Sequence, residues 1–505
     1  MPRLEIARYE TDPEYRTSIN GLIEKKMVVG FCIFGGTLES IPIILEELQA
    51  IAKKAGSPEL LMSCDCEWGL PMRLHSGGTE FPHLMALEQM KDLNGIRRVA
   101  FAIGTEMSVL GLHWNFAPVA DINSNPQNPI INIRAFSGDP ETVAICAESF
   151  YKGLEDAGII STAKHFPGHG DTHIDSHREL PSIAKSAEEF EATELAPFKR
   201  LAAVGIPSIM TGHIAAPKLS ESLGASAIDK DLPATISPYL TAKLLREQIG
   251  FEGVIITDSL EMHGLQKVIS DPSEIAAQAY LAGADILLMP TDPVAAYKGL
   301  EESLNEGRIS LAAIEKSVER IENLRKKYIH NKPPKVSVQW IEHEKMATAA
   351  ATNSLILEGA IPKPLTLSSV LLIASGAESE KRQRETLQDF FLTEFPGTLL
   401  NVITRNDPFE GIQIGDYPLI ITIHRPRGAL TEEKRSDSIR DKIFEIIAEL
   451  KNKNTHLAGV IALGDPYIAE EFVSAQPDFI LRSYSDSNPS VRAVIELLKN
   501  HIISK

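Results

Sequence analysis

The stretch Lys164-His165-Phe166-Pro167-Gly168-His169-Gly170-Asp171-Thr172-His173-Ile174-Asp175-Ser176-His177 carries more proton-transfer groups than a connecting loop needs. Histidines stand at 165, 169, 173 and 177, with Asp171 and Asp175 among them. Histidine changes charge near neutral pH, which suits it to general acid–base work. Asp175 and His177 lie two positions apart, so an extended loop points both side chains the same way. The carboxylate can then orient and charge-stabilise the imidazole. Gly168 and Gly170 relax the backbone, and Pro167 fixes one turn. A zinc site is the competing reading of so many histidines, but the stretch lacks the helical spacing that puts two histidine ligands on one face.

Other apolar runs end in groups of the same kind. Leu60–Asp65 is followed by Cys66, Glu67, Trp68 and Gly69, with Arg73 shortly after. Asn115–Ala120 is followed by Asp121, and the next loop carries Arg134. Ile206–Gly212 is followed by His213, and Gly253–Asp258 ends on a carboxylate. Such charges are costly to bury unless they meet each other or a ligand, so several on one rim point to a site. Plainer readings stand beside this one. Asp65 or Asp121 caps the next helix. Cys64 and Cys66 pack rather than hold a metal. His213 is a hydrogen-bonded core histidine, Glu188–Glu194 is a solvated helix face, and Trp68 is either a sugar-stacking platform or core.

The elements that must position these groups follow from the apolar runs. Met27–Phe34, Leu60–Asp65, Asn115–Ala120, Ile159–Phe166, Ile206–Gly212, Gly253–Asp258 and Ala284–Met289 are short, rich in Ile, Val, Leu or Met, and alternate with helical patterns. Strands covered by helices on both faces read this way. Ser237 and Pro238 open one such helix as cap and first helical residue. Repeated βα units over this length predict an α/β fold, a (β/α)8-like (TIM) barrel, with chemistry at the C-terminal ends of the strands. A helix over Ser310–Tyr328 closes the region, and His330–Lys335 reads as a linker. Beyond it, Val370–Ala374, Leu399–Thr404, Leu419–Ile423, Val460–Leu463 and Phe479–Leu481 predict strands, with a helix over Arg435–Lys451. The expected division is a catalytic domain over 1–335 and a smaller α/β sandwich domain over 336–505.

Bulk properties narrow the partners. A chain of 505 residues exceeds one ordinary core. The net charge of −18 repels nucleic acid and anionic membrane, so neither is an expected partner. No apolar run is long enough to span a bilayer, and the charged N-terminal stretch lacks the apolar segment of a secretory signal. The four cysteines, Cys32, Cys64, Cys66 and Cys146, are too few for a disulfide framework. Together these predict a cytoplasmic protein.

The segment Lys164–His177, read as Lys-His-Phe-Pro-Gly-His-Gly-Asp-Thr…Asp-Ser-His, resembles the β-N-acetylglucosaminidase branch of the bacterial family 3 glycoside hydrolases. Asn115-Phe116-Ala117-Pro118-Val119 and Gly253 to Met262 extend the resemblance, which covers essentially the first 330 residues. It implies Asp258 as the catalytic nucleophile, His177 as general acid/base, and Asp175 as its partner. It implies that Asp65, Arg73, Arg134, Lys164 and His165 bind the sugar. It implies a retaining exo-β-N-acetylglucosaminidase acting on GlcNAc-containing glycans or muropeptides, without metal or organic cofactor. The family's Asp-x-Glu-Gly-Gly-x-Val-x-Arg segment is here Asp65-Cys66-Glu67-Trp68-Gly69-Leu70-Pro71-Met72-Arg73, with Trp68 in place of a glycine. That puts loop shape and aglycone preference in question. A neutral histidine in place of a carboxylic acid also admits phosphate as acceptor, so a β-N-acetylglucosaminide phosphorylase is the alternative, beside a β-glucosidase of the same fold. A non-catalytic sugar-binding protein is a third reading, against which the intact Asp258, Asp175 and His177 speak.

Overall fold

A computed structural model describes residues 1–128, 130–172, 180–330, 337–361 and 457–504, together with strand backbones and scattered residues between 365 and 447. By contact the chain forms two units, one of Met1–Thr79 with Leu93–His343, the other of Glu80–Asp92 with Glu344–Lys505. The excursion Glu80–Asp92 leaves no mark in the sequence pattern.

The first unit is built on a seven-stranded sheet in chain order, every neighbour parallel. Its strands are β1 (Arg3–Glu5), β2 (Gly30–Phe34), β3 (Leu61–Cys64), β4 (Trp114–Asn115), β5 (Ile160–Phe166), β6 (Ser208–Thr211) and β7 (Val254–Thr257). The residues of β3, β5, β6 and β7 are buried throughout, as strands covered on both faces must be.

Three expectations need correcting. β1 is absent from the apolar pattern because it is three residues long and two of them are charged; only Leu4 faces the core. The run Asn115–Ala120 is strand only at Trp114–Asn115, after which the chain meets β5 through the single bridge Val119–Lys164. Ala284–Met289 is not a regular strand. It makes one bridge, Ile256–Ile286, and hydrogen bonds to either side: Thr257 N donates to Ile286 O, and Met289 N donates to Met1 O. Its apolar residues still enter the core, where Ile286, Leu288 and Met289 pack with Met1, Cys32, Leu61, Trp114, Val254 and Ile256.

The covering helices follow their caps. Asp139 accepts from Thr142 N ahead of Pro140–Asp156, and Ser310 accepts from Ala313 N ahead of Leu311–Arg325. Helices Leu93–Val109 and Pro140–Asp156 cross closely at Gly153, where a Cβ would collide with the carbonyl of Arg97. The expected cap Ser237 accepts from Leu240 N at 3.4 Å, ahead of a helical segment over Tyr239–Gln248.

In the second unit the later strands are β8 (Ile356–Gly359), β9 (Leu365–Leu367), β10 (Ser369–Ser375), β11 (Leu399–Thr404), β12 (Leu419–His424), β13 (Leu457–Ala462), β14 (Phe479–Arg482) and β15 (Ile502–Ser504). Six form one sheet in the order β11-β10-β12-β13-β14-β8, parallel except for the edge strand β8; β9 pairs with β15. The helix expected over Arg435–Lys451, except the buried helical residue Ile447, and the linker His330–Lys335, except His330, lie outside the described residues.

Candidate active site

The C-terminal end of β5 and the loops that follow β3, β4, β5, β6 and β7 carry the predicted groups. Asp65 follows β3 and receives Arg73 Nη2 at 2.6 Å, Arg73 Nε at 3.2 Å and Lys164 Nζ at 2.8 Å. Lys164 Nζ also lies 2.8 Å from Glu67 Oε1. Arg134 closes on Glu67 with both prongs, Nη2 at 2.7 Å and Nε at 3.0 Å. The result is a chain of alternating charge, Arg73–Asp65–Lys164–Glu67–Arg134, assembled from the loop after β3, the loop after β4 and strand β5. Planar guanidinium groups match carboxylates this way, and each charge-assisted bond offsets part of the desolvation cost.

Burial alone would raise the Asp65 carboxyl, but Lys164 and Arg73 overcome it and hold the group far below the usual carboxylate range. Glu67, fully buried, is held well below its ordinary value in the same way by Arg134 and Lys164. Lys164 is itself buried, which lowers its amine, yet Asp65 and Glu67 carry it above the ordinary value. The cap reading of Asp65 is therefore replaced by an ion-pair role. Glu67 was visible in the sequence as a retained motif residue, but its place between Lys164 and Arg134 was not.

Asp121 also has a role other than capping. Its Oδ1 accepts from His165 N at 3.1 Å and His169 N at 2.7 Å, and its Oδ2 lies 2.7 Å from His165 Nδ1. His169 is buried, and burial pulls its imidazole down to about 4, so the ring is neutral near pH 7. Its Nδ1 lies 2.8 Å from Thr172 Oγ1. Asn128 gathers the same turn, donating to His169 O at 2.8 Å and Gly170 O at 3.0 Å. Gly170 is required there because a Cβ would collide with Ile122 O.

Asp258 follows β7 and is partly exposed. Its Oδ1 accepts from Ser259 N at 2.7 Å. Burial would raise this carboxyl, but His165, His213, the Ser259 amide and Lys164 hold it below its ordinary value. His213, buried as expected of a core histidine, donates through Nε2 to Ser259 O at 2.8 Å and places Nδ1 2.7 Å from Thr235 Oγ1. It thereby braces the turn that carries Asp258.

The structure thus brings together Asp65, Arg73, Arg134, Lys164 and His165, with Asp258 within electrostatic reach of Lys164 and His165. His173, Asp175 and His177 lie outside the described residues. The solvated-face reading of Glu188–Glu194 fails at Glu194, whose buried carboxylate pairs with Lys185 Nζ at 2.5 Å. Trp68 is half-buried. All four cysteines are buried and none is in a disulfide, and Cys64 Sγ faces Ile33 O at 3.6 Å. Among the described residues no cluster of three or more His, Cys, Asp or Glu side chains could hold a metal, and no helix is long and apolar enough to cross a membrane.

The chain is similar to a β-hexosaminidase of Pseudomonas aeruginosa, 31% identical over 320 residues, which spans 62% of this chain and 89% of that protein. It is similar also to β-hexosaminidase A of Pseudoalteromonas piscicida, 35% identical over 283 residues, 54% of this chain and 47% of that protein. The chain therefore matches about half the length of the latter relative. Among solved structures it resembles a glycoside hydrolase family 3 β-N-acetylglucosaminidase from Paenibacillus sp. str. FPU-7, with a TM-score of 0.81 and 28% identity over 96% of this chain and 93% of that one. Residues 4–324 match the model of the glycosyl hydrolase family 3 N-terminal domain. That span holds the seven-stranded sheet, the alternating charge chain and Asp258, and the chain belongs to glycosyl hydrolase family 3.

Proposed function

We propose that this protein is a retaining exo-β-N-acetylglucosaminidase that releases terminal β-linked N-acetylglucosamine from glycans, peptidoglycan fragments among them. The observation that carries the reading is Asp258, a carboxylate at a strand end held below its ordinary value, with one hydrogen-bond donor among the described residues, Ser259 N, beside the Lys164 and His165 that would hold the sugar. An Asp258 oxygen attacks the anomeric carbon as the glycosidic C–O bond breaks, giving a glycosyl-enzyme ester. His177, partnered by Asp175, gives its proton to the departing oxygen. In the second step it takes a proton from water, which attacks the same carbon and releases Asp258. Arg73, Asp65, Lys164 and Arg134 fix the sugar by charge-assisted hydrogen bonds, and their mutual ion pairs set their positions beforehand.

The same reading takes the first 335 residues as a (β/α)8-like barrel closed through Ala284–Met289, whose hydrogen bonds to β7 and to Met1 support closure. Residues 336–505 form an α/β sandwich domain, and the protein works in the cytoplasm without a cofactor. The test is hydrolysis of an aryl β-N-acetylglucosaminide by Asp258→Ala and His177→Ala. Near-normal turnover in both variants sinks the assignment. Appearance of a sugar phosphate only when phosphate is added replaces hydrolysis by phosphorolysis. Preference for the aryl glucoside makes the protein a β-glucosidase.

A further inference from the structure

The mechanism above gives no part to Asp121, a buried carboxylate of the site. Asp121 touches no cation of the alternating chain. All three of its contacts go to the segment His165–His169. Two backbone N–H groups, of His165 and His169, point at Oδ1, and the His165 ring points Nδ1 at Oδ2. An ionised carboxylate can only accept, so the ring must carry a proton on Nδ1. Asp121 is fully buried, and its carboxyl is kept below the ordinary range by His165 and His169 against the opposing effect of burial. The opposite ring nitrogen, Nε2, has no hydrogen-bond partner among the described residues, although the side chain is only 8% exposed. The ring stands edge-to-face with His169, at 5.9 Å between centroids, and is an electrostatic neighbour of Asp258. A buried imidazole with one nitrogen committed and the other unmet is built to meet a ligand through the unmet edge.

We propose that Asp121 is a positioning residue that sets the hydrogen-bonding polarity of His165: with a proton held on Nδ1 by the carboxylate, the ring presents Nε2 to the sugar as the acceptor and so selects a hydroxyl that donates to it. This rests on the reading of Lys164 and His165 as sugar-binding groups and goes beyond it by assigning a direction to one hydrogen bond and a residue that enforces it. Through the same carboxylate, the two backbone bonds tie the turn of the chain to the ring orientation, so the polarity and the place of the ring are set together.

The geometry supplies its own test. In Asp121→Asn the two backbone N–H donors keep the amide oxygen at the Oδ1 position, which leaves the amide nitrogen facing His165 Nδ1. A donor there forces the proton to Nε2 and turns the acceptor into a donor, the inversion that a carboxylate-to-amide change produces in any Asp–His pair. The experiment measures kcat/KM and KM for wild type and Asp121→Asn with aryl β-N-acetylglucosaminide and with its 3-, 4- and 6-deoxyfluoro analogues. Fluorine cannot donate, and its electronic effect on the reaction cancels between the two enzymes in a double-mutant cycle. The expected result is a KM increase of roughly 30-fold in Asp121→Asn with a smaller change in kcat. At one hydroxyl position the fluorine should cost wild type about tenfold more than it costs the variant. Equal fluorine penalties at all three positions overturn the assignment.

A second measurement does not depend on the variant folding. Nitrogen NMR of histidine-labelled wild type, with His165→Gln to identify the signal, reads the tautomer directly. A proton on Nδ1 alone is expected, and a proton on Nε2, in the neutral or the cationic ring, overturns the proposal. Wild-type turnover that disappears in Asp258→Ala establishes the glycosidase reading separately, so loss of one conclusion does not obscure the other.

Discussion

Asp258 and Asp285 are carboxylates beside the same strand, β7, and they are treated in opposite ways. Asp285 receives Arg320 Nη2 at 2.6 Å, Ser317 Oγ at 2.7 Å, Ile255 N at 2.9 Å and Arg246 Nη2 at 3.0 Å. Its lone pairs are filled by fixed donors. Asp258 receives Ser259 N at 2.7 Å, while Lys164, His165 and His213 favour its charge through space. A saturated buried carboxylate is a structural clamp, because removing it strands cations that have no water to turn to. A carboxylate that accepts one hydrogen bond among the described residues, beside Lys164 and two imidazoles, is ionised and still able to attack. Saturation, rather than burial or charge, separates the two.

The comparison breaks most visibly through activity. Asp258→Ala is expected to lower kcat/KM by roughly 10⁴-fold with the urea midpoint nearly unchanged, since few donors lose a partner. A large loss of stability without loss of turnover would reverse the two roles. Asp285→Asn is expected to do the opposite, costing about 3 kcal/mol in urea unfolding and leaving kcat/KM within a few-fold of wild type. Lys164→Met sits between them. It leaves Asp65 and Glu67 with their arginines but removes the shared central cation, so about 2 kcal/mol of stability and roughly 100-fold in kcat/KM should be lost together.

The pH dependence sharpens the same contrast. Asp65, Glu67 and Asp258 are all held below their ordinary values in the folded protein. A depressed folded value contributes stability above the unfolded carboxylate range, of about 4, and that contribution is lost as pH falls through the folded value. The carboxylates' contribution should therefore hold down to about pH 5 and be lost below about pH 4, on top of an earlier decline from about pH 6.5 that belongs to His169, which is neutral in the folded protein down to about 4. The acid limb of kcat/KM that reports Asp258 should likewise lie below an ordinary aspartate's ~3.9. Midpoints that stop falling below about pH 4 would contradict the ion-pair chain. The smallest effect belongs to a surface pair: Arg97 and Asp156 are exposed, and Arg97→Ala should cost under about 1 kcal/mol and leave activity untouched.

Much of this was legible without coordinates. The apolar runs at Leu60–Asp65, Ile159–Phe166, Ile206–Gly212 and Gly253–Asp258 contain β3, β5, β6 and β7, because strands buried on both faces must be continuously apolar. The groups at their C-terminal ends, Asp65, Lys164, His165 and Asp258, were the ones marked for a site. What escaped is equally specific. β1 carries a single inward residue and has no periodicity to read. Ala284–Met289 is apolar enough for a strand, yet bonds on its two sides only in part. Glu194 belongs to an acidic stretch that looks solvated, and it turns inward only because Lys185 meets it.

The sequence by itself determined which chemical groups would arrive at the strand ends and in what order, since local apolarity and spacing decide where strands stop. Partnership was decided only by the tertiary structure. Lys164 meets Asp65 across 99 positions, His165 meets Asp121 across 44, and Arg134 meets Glu67 across 67. Hydrogen bonds and ion pairs depend on tenths of an ångström and on the water removed around them, and neither quantity is written in local sequence. That is why the partners of Glu67 and Asp121, two residues already noticed along the chain, became known only in the folded protein.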